Sequence, residues 1–551
     1  MNLLFLILVF GLVALIYWYN RKTNQKRQAA ILKKLEASWG KAKTENDFNF
    51  DYISAYFDGQ PVTDDVLQQI PDESIADLDF HNVFKIIDRT VSKVGQQYLY
   101  YKLRTIKNQE DVLQFNRLSK LFSNDKALRL RSQKNLLVLN QDDAYHIEAL
   151  INRPFFEKPA FVKYLLPLSI AALVFIVLGF LFHPFFLLLI PIFTVNMALH
   201  LKNKFYIQYV SAGIRQLRYL IYAGNRLANE PAIKTHFNRF DFLASVNEIR
   251  SSVKKFSYNQ ALNNEFLFVF WLLSEIVKIQ FNIEALIFYR FIDRIVEKKQ
   301  DINRLFRFIG EIDAAISTAN LRAGNIPTCE PRFTEKKLLN IKDITNPLIK
   351  NCVPNSLILD GKSLLLTGSN MSGKTTFIKT VAINVILSET LYLAFAKTFE
   401  LPFMQVYSSI KISDDILQDT SYYLEEVLRI KSFIEASQTD MPCLFVLDEI
   451  FKGTNTIERI SGGKAILSYL NQPQHLVLVS THDIELTDLL QQEDYVLYHF
   501  TEQIENEQLI FDHKLKKGRL KTRNAIKILE LYDYPENIIT DAERTQKRIE
   551  K

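Results

Sequence analysis

SLLLTGSNMSGKTTF, residues 363–377, decides how the rest of this 551-residue chain is read. Leu364, Leu365 and Leu366 form a short apolar run with the look of a buried strand, and a helical pattern continues through Phe377 to Leu387. Between them Gly368, Gly373, Lys374 and Thr375 stand at the GxxxxGK[ST] spacing in its required context, strand before and helix after. Glycines let the backbone curl until its N–H groups point inward, at a helix N-terminus whose dipole favours an anion. Lys374 adds a point charge for β- and γ-phosphates, and Thr375 a hydroxyl for Mg²⁺. The bland alternative, a glycine-rich turn without a ligand, does not account for the lysine and the hydroxyl together.

Two later stretches have the same texture. CLFVLDE, residues 443–449, is an apolar strand ending in two acids. Asp448 is placed to hold Mg²⁺, directly or through water, and Glu449 to orient and polarise an attacking water. LVLVS, residues 476–480, ends in Thr481, His482 and Asp483, which puts His482 within reach of a γ-phosphate. Such short apolar runs alternating with helices predict an α/β domain with a largely parallel sheet from about residue 331 to 545, followed by a tail over 546–551.

Upstream the texture is different. Residues 48–160 and 202–330 read as long helices, with apolar residues such as Val83, Ile86 and Ile87 at three- and four-residue spacing. Asn263 to Ile279 reads as a buried core helix. Three segments ask for lipid. Leu3 to Tyr19 is apolar, closes on Tyr17, Trp18 and Tyr19, and meets Arg21, Lys22, Lys26 and Arg27, as a helix end at a cytosolic surface does. A cleaved signal peptide would want basic residues before the run and small residues after it. The span 1–20 is therefore expected as an anchor and 21–47 as a basic connector. Residues 161–201, broken at His183 and Pro184, read as a transmembrane hairpin with Lys158, Lys163, Lys202 and Lys204 at its cytosolic ends. A buried hairpin in a soluble core is the competing reading.

Net charge is +6, too mild to argue for nucleic acid. Cys329, Cys352 and Cys443 form no CxxC pair, which argues against a structural metal or a disulfide scaffold and fits a reducing cytosol. Lys514, Lys516, Lys517, Arg519, Lys521 and Arg523 make a basic run that reads as a solvated face; duplex DNA and anionic lipid are the other occupants it admits.

Residues 368–376 resemble the TGPNMxGKST loop of MutS proteins, including the Asn370-Met371 pair that generic phosphate loops lack. Residues 448–454 resemble the DExxxGT stretch of that family, Thr481-His482 its TH element, and residues 421–426 its STFxxE segment. Asn346-Pro347 and Val353-Pro354-Asn355 match the segment that opens its ATPase domain, and Phe511 to Gly518 a stretch near its end. VFKIIDRT, residues 83–90, with Gly95 and Leu103, is similar to the start of the MutS lever domain. The likeness runs from about Asp79 to Ala542.

The resemblance implies an α/β P-loop ATPase domain preceded by an all-α lever/core domain, here with three predicted transmembrane helices. It implies ATP and Mg²⁺ as cofactors, with Gly368, Ser369, Asn370, Met371, Ser372, Gly373, Lys374, Thr375, Thr376, Asn355 and His513 around the nucleotide. Thr375 and Asp448 would hold the metal. Glu449, Lys374 and His482 would act in hydrolysis, joined by Ser421 reaching across a homodimer. DNA enters as a partner by the same route, and a lipid bilayer from the apolar segments. The expected place is the cytoplasmic (inner) membrane, multi-pass, with the ATPase domain in the cytosol.

Departures are informative too. The connector leaves no room for a mismatch-binding domain with its Phe-x-Glu wedge, and Phe333-Thr-Glu335 and Phe500-Thr-Glu502 match those letters by chance. Cys352 stands where an aromatic residue often stacks on adenine. An ABC-type transporter would need an LSGGQ-like loop before Asp448, whereas Ile460 to Lys464 comes after it. A scaffold using ATP only as a conformational ligand is the third reading, against which the intact Lys374, Asp448 and Glu449 speak.

Overall fold

A computed structural model describes residues 2–44, 48–152, 159–250, 268–369, 372–410, 422–505, 508–520 and 525–549. The chain divides into two compact units: residues 1–61, 88–101 and 117–323, and residues 62–87, 102–116 and 324–551. Segments 62–87 and 102–116, expected in the helical region, group with the C-terminal unit.

The first unit is helical among its described residues. The helices that matter here are α1 (Asn2–Ala37), α2 (Val162–Leu181), α3 (Leu189–Ala228), α4 (Phe268–Gln280), α5 (Ile283–Glu297) and α6 (Lys299–Arg322). Helix α6 is buried on every side from Ile312 to Leu321, so its polar groups need partners inside the protein. Asp313 finds them in Ser92, whose N–H and Oγ donate at 2.7 and 2.6 Å, and in the Val91 N–H at 2.9 Å. Complete burial still pushes this carboxyl up to about 6. Next to it lies the Asp88-Arg89-Thr90 turn. Asp88 accepts from Thr90 N at 2.8 Å and Gln96 Nε2 at 2.7 Å and pairs with Lys43 at 2.7 Å, while Arg89 N donates to Ser317 Oγ at 2.7 Å. These letters therefore fix a turn against α6. Gly310 lets Tyr98 close on that helix, because a Cβ at Gly310 would sit 2.3 Å from the Cβ of Tyr98.

Two helical stretches are long and apolar enough to cross a membrane, by length and composition alone. Val162–Leu181 has mean hydropathy 2.5 with 22% of it buried, and His183–Asn203 has 1.9 with 6% buried. Phe180, Leu181 and Leu187 are more than two-thirds exposed, as lipid-facing side chains would be. The expectation of three spans is thus reduced to two. The Leu3–Tyr19 run forms the first half of α1, which continues without a break into the basic stretch as far as Ala37, and it is not one of the two. The expected core helix Asn263–Ile279 is described from Phe268 on, as α4, and there Ile279 is buried whereas Ile276 and Val277 are exposed.

In the second unit the central sheet has six strands: β1 (Ser363–Thr367), β2 (Gln405–Ser409), β3 (Cys443–Asp448), β4 (Leu476–Ser480), β5 (Tyr495–His499) and β6 (Lys516–Lys517). Their order is β6-β5-β1-β4-β3-β2, and every pair is parallel except β5 with β6. The middles of the inner strands β1, β3 and β4 are continuously apolar because both faces are covered. Helices α7 (Lys374–Leu391), α8 (Tyr422–Ala436) and α9 (Thr456–Leu470) do much of that covering. Ile430 and Phe433 of α8 and Leu467 and Leu470 of α9 pack with Leu365, Phe445, Leu447, Val477 and Val479.

Register sets the site. Ser480 lies beside Leu366 on one side and Asp448 on the other, so the loops after β1, β3 and β4 open at one end of the sheet. A four-stranded sheet of Arg332–Phe333, Thr398–Leu401, Leu338–Ile344 and Asn355–Asp360 carries Asn355. The exposed side of β2 is answered by Gln68, whose amide donates to Val406 O and accepts from Val406 N, both at 2.8 Å, in place of another strand. Asp77 and Asp79 extend this docking. Asp77 accepts from Ser408 Oγ and Ile410 N at 2.9 Å, and Asp79 pairs with Lys379 of α7 at 2.9 Å.

Candidate functional site

The loop from Gly368 to Gly373 leaves β1 and enters α7 with both glycines at positive φ, +147° and +111°. A side chain at Gly368 would also strike the Phe500 carbonyl oxygen, 2.9 Å from the ideal Cβ. Lys374, only 3% exposed, folds back so that its Nζ donates to the carbonyls of Gly368 at 2.7 Å and Ser369 at 3.0 Å. Burial pushes its ammonium down to about 8, and Asp448 and Glu449 pull the other way. Thr375 Oγ1 donates to Asp448 Oδ2 at 2.7 Å, and Ser480 Oγ donates to the other oxygen of that carboxylate. A hydroxyl and a carboxylate so placed are the hard oxygens a Mg²⁺ takes from protein beside phosphate oxygens, so the residues fit the ion.

Glu449 follows directly, in the left-handed region at φ +60°, with its N–H held by Ser480 O at 2.9 Å. Its carboxylate lies 3.1 Å from His482 Nε2 and 3.5 Å from Lys452 Nζ. The hydrogen bond from His482 is the first cause holding this acid down at about 2, against the penalty of burial. His482 Nε2 is also 3.1 Å from Lys374 Nζ. One nitrogen cannot serve both partners. Carrying a proton, it donates to Glu449; without one, it accepts from Lys374.

Residues 364–550 match the family model for MutS domain V. The chain is 29% identical over 279 residues to the DNA mismatch repair protein MutS of Listeria welshimeri, covering 49% of this chain and 32% of that protein. It is 31% identical over 261 residues to MutS of Listeria monocytogenes serotype 4a, covering 45% and 30%. With MutS of Staphylococcus haemolyticus the identity is 29% over 273 residues, covering 48% and 31%. The chain carries a MutS domain V over residues 364–550. It spans about a third of the length of the curated MutS proteins it matches.

Within the MutS-type site most of the expected residues converge. Ser372 Oγ donates to Ser369 O at 2.7 Å, and Thr376 sits in the first turn of α7 with its carbonyl taken by Thr380 Oγ1 at 2.6 Å. His513 Nδ1 lies 3.1 Å from Ser372 O, so that nitrogen carries the proton, and the ring stacks on Phe511. Asn355 ties the segment down, donating to His513 O at 3.0 Å and accepting from Leu515 N at 2.7 Å. Asn370, Met371 and Ser421 lie outside the described residues.

Two acids that sequence reasoning missed support this site. Glu502 accepts from Ser369 Oγ at 2.9 Å, Phe500 N donates to Thr367 O at 3.0 Å, and the Phe500 ring meets Phe377. The pair set aside as a chance match for a wedge thus walls the phosphate loop; β5, beside β1, brings it there. Glu426 of α8 accepts from Phe451 N at 2.5 Å and so braces the turn after Glu449. It is the final glutamate of residues 421–426, a signal that could have singled it out. Ser461, Gly462 and Gly463 lie inside α9, where a Cβ at Gly463 would strike Ile450 and one at Gly462 the Phe451 ring. Those glycines serve close packing of α9 on the turn after Glu449.

Proposed function

We propose that this chain is a membrane-held MutS-type ATPase that binds and hydrolyses ATP with Mg²⁺. The observation that carries the reading is the buried Lys374 folded over the loop carbonyls, with Thr375 on Asp448 one residue away. On phosphate binding, Lys374 exchanges those carbonyl contacts for phosphate oxygens, and its proton is held by the new negative charge. Thr375 and Asp448 hold the metal, which when bound supplies the Lewis acid for the phosphates. Glu449, kept ionised by His482, orients a water and takes its proton. His482, between Glu449 and Lys374, follows the charge on both.

By family resemblance Ser421 completes the site of a second copy, which makes the working form a homodimer, and turnover moves the helical lever. The exposed apolar hairpin favours the cytoplasmic membrane, with the ATPase unit in the cytosol. Family resemblance makes duplex DNA the ligand to try first. The test is phosphate release by the full chain in liposomes, with and without duplex DNA, beside Lys374→Ala. Release that rises with DNA and disappears in the variant supports a DNA-handling ATPase. Release indifferent to DNA, with no DNA retained at low salt, assigns the same engine to a membrane task. Release that survives Lys374→Ala overturns the site.

A further inference from the structure

We infer that the turn between α4 and α5, Phe281–Asn282, is set into the cytosolic leaflet beside the α2–α3 hairpin, a contact with lipid that does not span. The inference rests on the reading of that hairpin as membrane-embedded. Where α4 ends, its last carbonyls have no helical partner. Backbone N–H groups of the turn meet Val277 O and Ile279 O, and hairpin side chains meet the next two: Asn196 Nδ2 donates to Gln280 O and Ser169 Oγ to Phe281 O, both at 2.7 Å. Asn282, in the left-handed region at φ +49°, returns its own amide to Asn196 Oδ1 at 2.8 Å. Ser169, Asn196, Gln280 and Asn282 are all buried.

Depth follows from the helices. Ser169 comes about seven residues after the start of α2 and Asn196 about seven before Asn203, so both sit about 10 Å past the ends marked by Lys163 and Lys202. That is about a third of a hydrocarbon core of about 30 Å. Water would satisfy the carbonyls of a turn on a wet surface, whereas irregular backbone at membrane depth persists only when protein groups satisfy it. Around this closed turn the two arms expose apolar side chains: Ile276 and Val277 on α4, Ile283 and Ile287 on α5. The nearby charges limit how deep it goes. Glu275 and Lys278 pair at 2.7 Å, and Glu284 sits in the first turn of α5, where the helix dipole favours an acid. All three side chains are long enough to reach toward the headgroups.

The test uses the full chain in liposomes with Cys329, Cys352 and Cys443 replaced. Nitroxide labels are placed singly at Ile276→Cys, Ile283→Cys, Val177→Cys in the hairpin and Ile457→Cys on the exposed surface of α9. Accessibility is read to oxygen, which concentrates in lipid, and to a water-soluble nickel chelate. The inference expects the oxygen-to-nickel ratio at Ile276 and Ile283 to approach that at Val177 and to exceed that at Ile457 several-fold. Aqueous ratios at Ile276 and Ile283 with a lipid ratio at Val177 overturn the embedded turn and leave the hairpin standing. Aqueous ratios at all four sites overturn the membrane reading itself. Ile287→Cys, one turn along α5, repeats the measurement should a label at Ile283 disturb the turn.

Discussion

Two turns in this molecule present buried carbonyl oxygens, and in each a side chain from another element reaches over to meet them. After β1, Lys374 covers Gly368 O and Ser369 O. After α4, Asn196 and Ser169 cover Gln280 O and Phe281 O. The first cover is a single flexible cation whose pKa is already displaced by burial, so an incoming phosphate can draw it away. The second consists of neutral groups, with the Asn196 amide itself held by a bond donated from Asn282, and has nothing to exchange. A ligand site and a structural closure can thus share a hydrogen-bond pattern and differ in what the covering group would rather bind.

The comparison breaks most sharply if the phosphate loop proves inert. Glu449→Gln keeps the shape of the site and removes the base, so phosphate release should fall by about 10²–10³-fold while nucleotide is still retained. Equal turnover in the two proteins would remove Glu449 from the chemistry. At the other turn, Asn196→Leu leaves the Gln280 carbonyl unanswered and should cost about 1–3 kcal/mol, read from denaturation in detergent. An unchanged midpoint would mean that water reaches the turn.

Asp313 sharpens the contrast from the helical side. Its folded pKa, about 6, lies above the ordinary carboxyl value. Its contribution to stability is therefore fully present below pH ~4 and is lost as pH rises through about 6, a swing of about 2–3 kcal/mol. Asp313→Asn should flatten urea midpoints across that window, and an unaltered slope would mean that the carboxylate is stable when ionised. Lys374 gives the smallest effect. Because its pKa in the free protein is about 8, ATP affinity should weaken above that pH, by at most about tenfold per unit. Affinity flat from pH 7 to 9.5 would contradict the displaced lysine.

Sequence reading was strongest where chemistry is written locally. The run from Leu364 to Thr376 names a strand, a loop and a helix start within a few residues, and β3 and β4 end in side chains that register places beside it. Glu502 and Gln68 were not legible, because each acts on a residue more than a hundred positions away through pairing that no local pattern records. Asn263–Ile279 was legible only in part: apolar content does not say whether protein or lipid covers a face, and Ile279 is buried while Ile276 and Val277 turn outward. The basic run from Lys514 had an unexpected part in the fold. Lys516 and Lys517 form β6 against β5, Lys516 pairs with Asp512 at 2.6 Å and Arg519 with Asp488 at 2.8 Å, which gives two of its charges partners within the protein.

The most direct test of the account is the binding of a fluorescent ATP analogue to the full chain in liposomes, titrated with and without Mg²⁺ for the wild type and Lys374→Ala. The account predicts saturable, Mg²⁺-dependent binding that is lost in the variant. Equal binding by both proteins, or none by the wild type, would contradict it.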